Sequence, residues 1–169
     1  YELQAEIEHQ FNKSGASGPA YTSIVGGGNN ACVLHYIENK DILKDGDLVL
    51  IDAGCEYENY AADITRTFPV NGKFSTQQAA IYDIVLEALE QAIEVTQSGA
   101  PYNVTNETTI KVITEGLVNL GLLQGEVTDL ITSEAHREFY MHGAGHWLGM
   151  DVHDVGAVSY THLRAHETS

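Results

Sequence analysis

The chain has 169 residues, of which 43% are apolar, enough for the core of one ordinary domain. Eight Lys and Arg face 24 Asp and Glu, a formal charge of −16, which argues against nucleic acid or an anionic membrane surface as a partner. There is no apolar run of about 18 residues, so no transmembrane helix is predicted, and two cysteines without framework spacing read as the reduced thiols of a cytoplasmic protein.

Leu3, Ile7 and Phe11 recur every four positions and predict a helix over residues 1–12. A small-residue loop follows. Residues 21–25 and 31–36 read as a strand pair around Gly26-Gly27-Gly28-Asn29-Asn30. These glycines are not a phosphate loop, because no helix and no Lys-Ser/Thr pair follows. Residues 48–53 and 60–68 read as a second strand pair. Ser75 or Thr76 caps a helix to about Gln97, with Ile81, Val85, Leu89 and Ile93 on one stripe. Gly99 and Pro101 stop it. A second helix runs from about Val104 to Gly121, with Ile110, Ile113, Leu117 and Leu120 inward, and a shorter one lies near 126–135. From Phe139 the chain is too Gly-rich for a stable helix and reads as strand and tight loop. This order predicts an α+β domain, with helices packed on one face of an antiparallel sheet.

Two aspartates stand inside the strand-like runs, where carboxylates are depleted. If Tyr57 and Glu58 form the turn tip, Asp52 and Asp63 stand directly opposite each other. Their Cβ atoms would then be roughly 4.5–5.5 Å apart, a repulsive arrangement unless a cation lies between them. A simpler reading has Asp52 capping the Ala53-Gly54 turn and Asp63 pairing with Arg66. His142, His146 and His153 weigh against it. They fall within twelve residues. In extended chain His142 and His146 share a face, and Gly143 and Gly145 allow close approach. His35 joins the same pocket if the two hairpins pack together. Carboxylates with one imidazole suit Mn²⁺, Co²⁺, Fe²⁺ or Zn²⁺ better than a soft metal. Bridging carboxylates point to two ions holding a water as hydroxide near neutral pH.

Leu50-Ile51-Asp52-Ala53-Gly54, Asp63-Ile64-Thr65-Arg66-Thr67-Phe68, His142-Gly143-Ala144-Gly145-His146-Trp147-Leu148-Gly149 and Asp151-Val152-His153-Asp154 occur in that order. Together they resemble the catalytic domain of the Xaa-Pro aminopeptidase (aminopeptidase P) family. The resemblance covers residues 1–156 and implies the pita-bread fold, shared with prolidase and methionine aminopeptidase. It implies a dinuclear Mn²⁺ site with Asp52, Asp63 and His146 among five ligands. It also implies that His35 and His153 contact substrate or stabilise the intermediate and leaving group, and that His142 lines the same pocket. The reaction implied is hydrolysis of the first bond of a peptide with proline second, by an enzyme that forms homo-oligomers.

The family's other two ligands are glutamates, in Glu-Pro-Gly and Val-Glu-type motifs that do not occur here. Residues 157–169 are unlike the family and are expected to be a non-family tail, with Glu167, His162 and His166 outside the site. The chain therefore reads as a partial domain, incomplete at its C-terminal end, with an incomplete site that binds metal weakly and does not catalyse. Two further readings are a prolidase acting on Xaa-Pro dipeptides and a non-catalytic binding module on the same fold.

Overall fold

The computed structural model describes residues 1–156; the expected tail at 157–169 lies outside the described residues. The described residues divide into two compact units, Tyr1–Ser75 with 146–156, and Thr76–Gly145.

In the first unit, helix α1 (Glu2–Lys13) is followed by strands β1 (Gly18–Pro19), β2 (Ile24–Gly27), β3 (Leu48–Ala53), β4 (Cys55–Tyr57), β5 (Tyr60–Ala61) and β6 (Ile64–Pro69). They form two antiparallel sheets, ordered β2-β3-β6 and β1-β4-β5. Ser23, Ile24, Val25 and Val49 are buried.

β3 falls on the residues that the apolar run predicts. Its partner does not. Asp52 pairs with Thr65, so the register is two residues away from the one that sets Asp52 against Asp63. The cause is the turn. Its tip is Glu58-Asn59, both at positive φ (50° and 70°), the conformation of a two-residue type I′ hairpin loop. Asn tolerates positive φ better than most residues, so Asn59 draws the tip one residue along.

The expected strand at 31–36 is absent. A 3-10 turn spans Gly28–Cys32, and His35 follows it at φ 53°. The free edge of β2 is held instead by one side chain. Asn39, 3% exposed, accepts from Val25 N–H at 2.8 Å and donates to Ser23 O at 2.7 Å and Gln4 Oε1 at 2.9 Å. A buried amide thus satisfies the backbone groups that a neighbouring strand would otherwise take.

In the second unit, α2 (Thr76–Val95) and α3 (Val104–Asn119) pack together, followed by α4 (Val127–Thr132) and a 3-10 turn at Ala135–Glu138. Ala88, Val112, Ile113, Leu117 and Leu123 form the core. Gly116 lets α2 approach, since a Cβ there would lie 2.5 Å from Ile84 Cγ2. α2 meets this core through Ile84 and Ala88, and Ala92 on the same face is buried, whereas Ile81, Val85, Leu89 and Ile93 of the expected stripe stay 37–63% exposed. The interface selects small residues because the backbones are close.

Residues 139–156 form no strand among the described residues. Their glycines weaken a strand, and no neighbour pairs with them in register. The free thiols Cys32 and Cys55 are exposed and half-buried. Among the described residues no helix is long and apolar enough to cross a membrane.

Candidate metal centre

The two aspartates are positioned by a break in the sheets. β3 and β4 are separated by Gly54, and β5 and β6 by Ala62-Asp63. At this point the chain leaves one sheet and joins the other. Gly54 O accepts from Ala20 N–H at 2.9 Å, and Ala62 N–H donates to Cys55 O at 2.9 Å. A Cβ on Gly54 would stand 1.7 Å from Ala62 O, so only glycine fits the crossing. Asp52 lies near the end of β3 just before the break, and Asp63 lies in the break itself.

A residue that the motif reading passes over links them. Tyr21 Oη lies 2.5 Å from Asp52 Oδ1 and 3.2 Å from Asp63 Oδ1. Burial raises the Tyr21 phenol well above its ordinary value, and the hydrogen bonds and charges of both aspartates push it the same way. It is a neutral donor at any physiological pH. The sequence signal was a tyrosine just ahead of a buried strand, which reads equally well as core.

Asp63 also meets His146. Its Oδ2 lies 2.9 Å from His146 Nε2, and His146 Nδ1 lies 2.8 Å from Trp147 O. A carbonyl is acceptor only, so the Nδ1 proton goes to it. Nε2 either donates to Asp63 as an ion pair or, with that proton absent, presents its lone pair beside the carboxylate, where one cation can take both. An imidazole whose other nitrogen donates to a carbonyl is the usual outer support of a metal-binding histidine. Asp63 does not pair with Arg66, whose Nη1 donates to Thr65 O at 2.8 Å.

The loop after His146 is tied down locally. Gly149 O accepts from Ala61 N–H at 2.8 Å. Asp154 Oδ2 accepts from Met150 N–H at 3.0 Å and Asp154 Oδ1 from Val155 N–H at 2.7 Å. This loop sets the His153 ring edge-on to His146, with centroids 4.3 Å apart. Loop closure, and not strand alternation, thus brings His153 to the centre.

The remaining histidines are placed differently. His35 is exposed on its turn, and no hydrogen bond joins it to Asp52, Asp63 or His146. His142 is exposed and belongs to the other unit. Among the described residues no group of three or more His, Cys, Asp or Glu is close enough to form a metal cage. The donor set fits a divalent cation in kind, with hard carboxylates and one imidazole, and is short in number.

The model of metallopeptidase family M24 matches residues 1–168. The chain is 58% identical over 157 residues to the Xaa-Pro aminopeptidase of Haemophilus influenzae, covering 93% of this chain and 36% of that protein. The structure of Pseudomonas aeruginosa aminopeptidase PepP aligns at 60% identity and TM-score 0.91, over 93% of this chain and 36% of that one. A zinc-substituted Escherichia coli aminopeptidase P in complex with product aligns at 55% identity and TM-score 0.90, over 93% of this chain and 36% of that one. The chain thus spans about a third of the length of the relatives it matches, and it shares their α+β pita-bread fold. By this match to its whole described length, the chain belongs to metallopeptidase family M24.

Proposed function

We propose that this chain is the part of an Xaa-Pro aminopeptidase catalytic domain that carries Asp52, Asp63 and His146 as metal ligands. The observation that supports it most is the Asp63–His146 contact of 2.9 Å between two motifs far apart in sequence. The relatives' names supply the substrate class, peptides with proline second. The cations would be a pair of Mn²⁺ ions, a hard metal suited to carboxylates. Bound there, they would supply Lewis-acid polarisation and a water acidified to near neutral pH.

The protein groups do the rest. Asp63, between Tyr21 and His146, holds the centre of the site. His153, whose ring stands edge-on to His146, would pass a proton to the leaving amine. His35 and His142 contact the substrate. The 169 residues contain neither a Glu-Pro-Gly nor a Val-Glu sequence, the motifs of the family's two other carboxylate ligands, so by themselves they do not turn over. The intact enzyme acts as a homo-oligomer in the cytoplasm.

The test is hydrolysis of an Xaa-Pro-Yaa tripeptide and an Xaa-Pro dipeptide, with Mn²⁺ and with chelator. It compares the 169-residue chain with a chain extended to the length of its relatives. Manganese-dependent cleavage of the tripeptide by the extended chain alone is expected. Preference for the dipeptide would make it a prolidase. No cleavage by either would leave a binding module.

A further inference from the structure

Tyr21 has no role in the reading above, yet it is the group that joins the two carboxylates. One phenol proton faces two carboxylate oxygens, at 2.5 Å from Asp52 and 3.2 Å from Asp63. The shorter contact is a charge-assisted bond to Asp52. The longer one keeps the Asp63 oxygen turned toward the same hydrogen. Without a donor between them, two like charges turn away from each other.

The phenol is itself held in place. The next residue back, Ala20, donates its N–H to Gly54 O at 2.9 Å, which fixes the Tyr21 backbone to the sheet break. Two residues beyond, Ser23 is fully buried, and Asn39 pins its carbonyl. Tyr21 is therefore clamped on both sides and directed at the carboxylates.

We infer that Tyr21 is a positioning residue of the metal centre, whose hydroxyl holds Asp52 and Asp63 in a ligating orientation before a cation arrives. The inference rests on the metal-site reading above. Hydroxyl-to-ligand bonds of this kind act through the ligand, and their loss weakens metal binding by ~10–100-fold.

The test is Mn²⁺ affinity of the chain extended to the length of its relatives, which supplies the remaining carboxylate ligands, read from the paramagnetic resonance signal of free Mn²⁺. Wild type, Tyr21→Phe and Tyr60→Phe are compared, Tyr60 being a tyrosine of the same unit that is 63% exposed. Circular dichroism checks that each is folded. A drop of ~10–100-fold in Tyr21→Phe, with Tyr60→Phe unchanged, is the expected result. Equal affinity in a folded Tyr21→Phe overturns the role of Tyr21 and leaves the metal site standing. No Mn²⁺ binding by wild type overturns the metal site and the inference with it. If Tyr21→Phe does not fold, the wild-type proton spectrum decides. The metal-free protein should show a downfield, slowly exchanging Tyr21 hydroxyl proton that shifts on adding Zn²⁺. A Tyr21 hydroxyl that exchanges as fast as that of Tyr60, or is blind to Zn²⁺, overturns the inference.

Discussion

His146 Nε2 lies 2.9 Å from Asp63 Oδ2, joining positions 83 residues apart. Asp63 is also the carboxylate that Tyr21 reaches at 3.2 Å, so it is the common member of the site. Asp63→Asn keeps the shape but replaces one carboxylate oxygen with an NH₂ donor. It should weaken Mn²⁺ binding by more than the ~10–100-fold of an outer-shell change. Calorimetric titration against wild type checks this, and equal affinities would remove Asp63 from the ligand set.

Gly54→Ala tests the crossing between the sheets. Its Cβ would meet a backbone carbonyl at 1.7 Å, and backbone cannot rotate aside as a side chain does. A destabilisation of about 1–3 kcal/mol or more is expected. Metal affinity should fall with it, because the same break positions Asp63. Urea unfolding of the two proteins gives the difference.

Asn39→Ala removes three hydrogen bonds from a side chain that is 3% exposed. The Val25 N–H and Ser23 carbonyl lose their partner, at a cost of about 1–3 kcal/mol each. Alanine at φ 46° adds strain. Asn39→Asp keeps the acceptor for Val25 but cannot donate, so it sets a buried carboxylate against the Ser23 carbonyl. Hydrogen exchange of the Val25 amide should rise sharply in both variants.

Tyr140 packs against the core of the second unit, and burial raises its phenol above the ordinary tyrosine value of 10.0. The fold thus favours the neutral form. The stabilisation is complete below the unfolded value and fades as pH climbs past it toward the folded value. Melting temperatures taken from about pH 8 to about pH 11 should fall across the upper part of that range. Tyr140→Phe should flatten the fall. A slope unchanged in the variant would show that other groups carry it.

Much of this was legible because periodicity and composition reflect burial directly. The apolar run at 48–53 could only be a strand, and the helix at 104–119 announces itself by its spacing and its terminal Gly121. Asp52 and Asp63, singled out together, both meet the Tyr21 hydroxyl. Their register was not legible, because a one-residue change in the turn tip moves every pair by two and the deciding residue was Asn59 alone. The strand expected around His35 failed for a different reason. Alternation there competes with Asn39, whose amide already serves the edge of β2. His146 and His153 meet through loop hydrogen bonds, which leave no period in the sequence. Tyr21 was invisible because its role depends on where two other residues end up.

The most direct measurement is the electron spin echo modulation of Mn²⁺ bound to the 169-residue chain. A nitrogen signal from a coordinated imidazole, lost in His146→Ala and kept in His9→Ala, is what this account predicts. Mn²⁺ binding without nitrogen modulation, or modulation that survives His146→Ala, would contradict it.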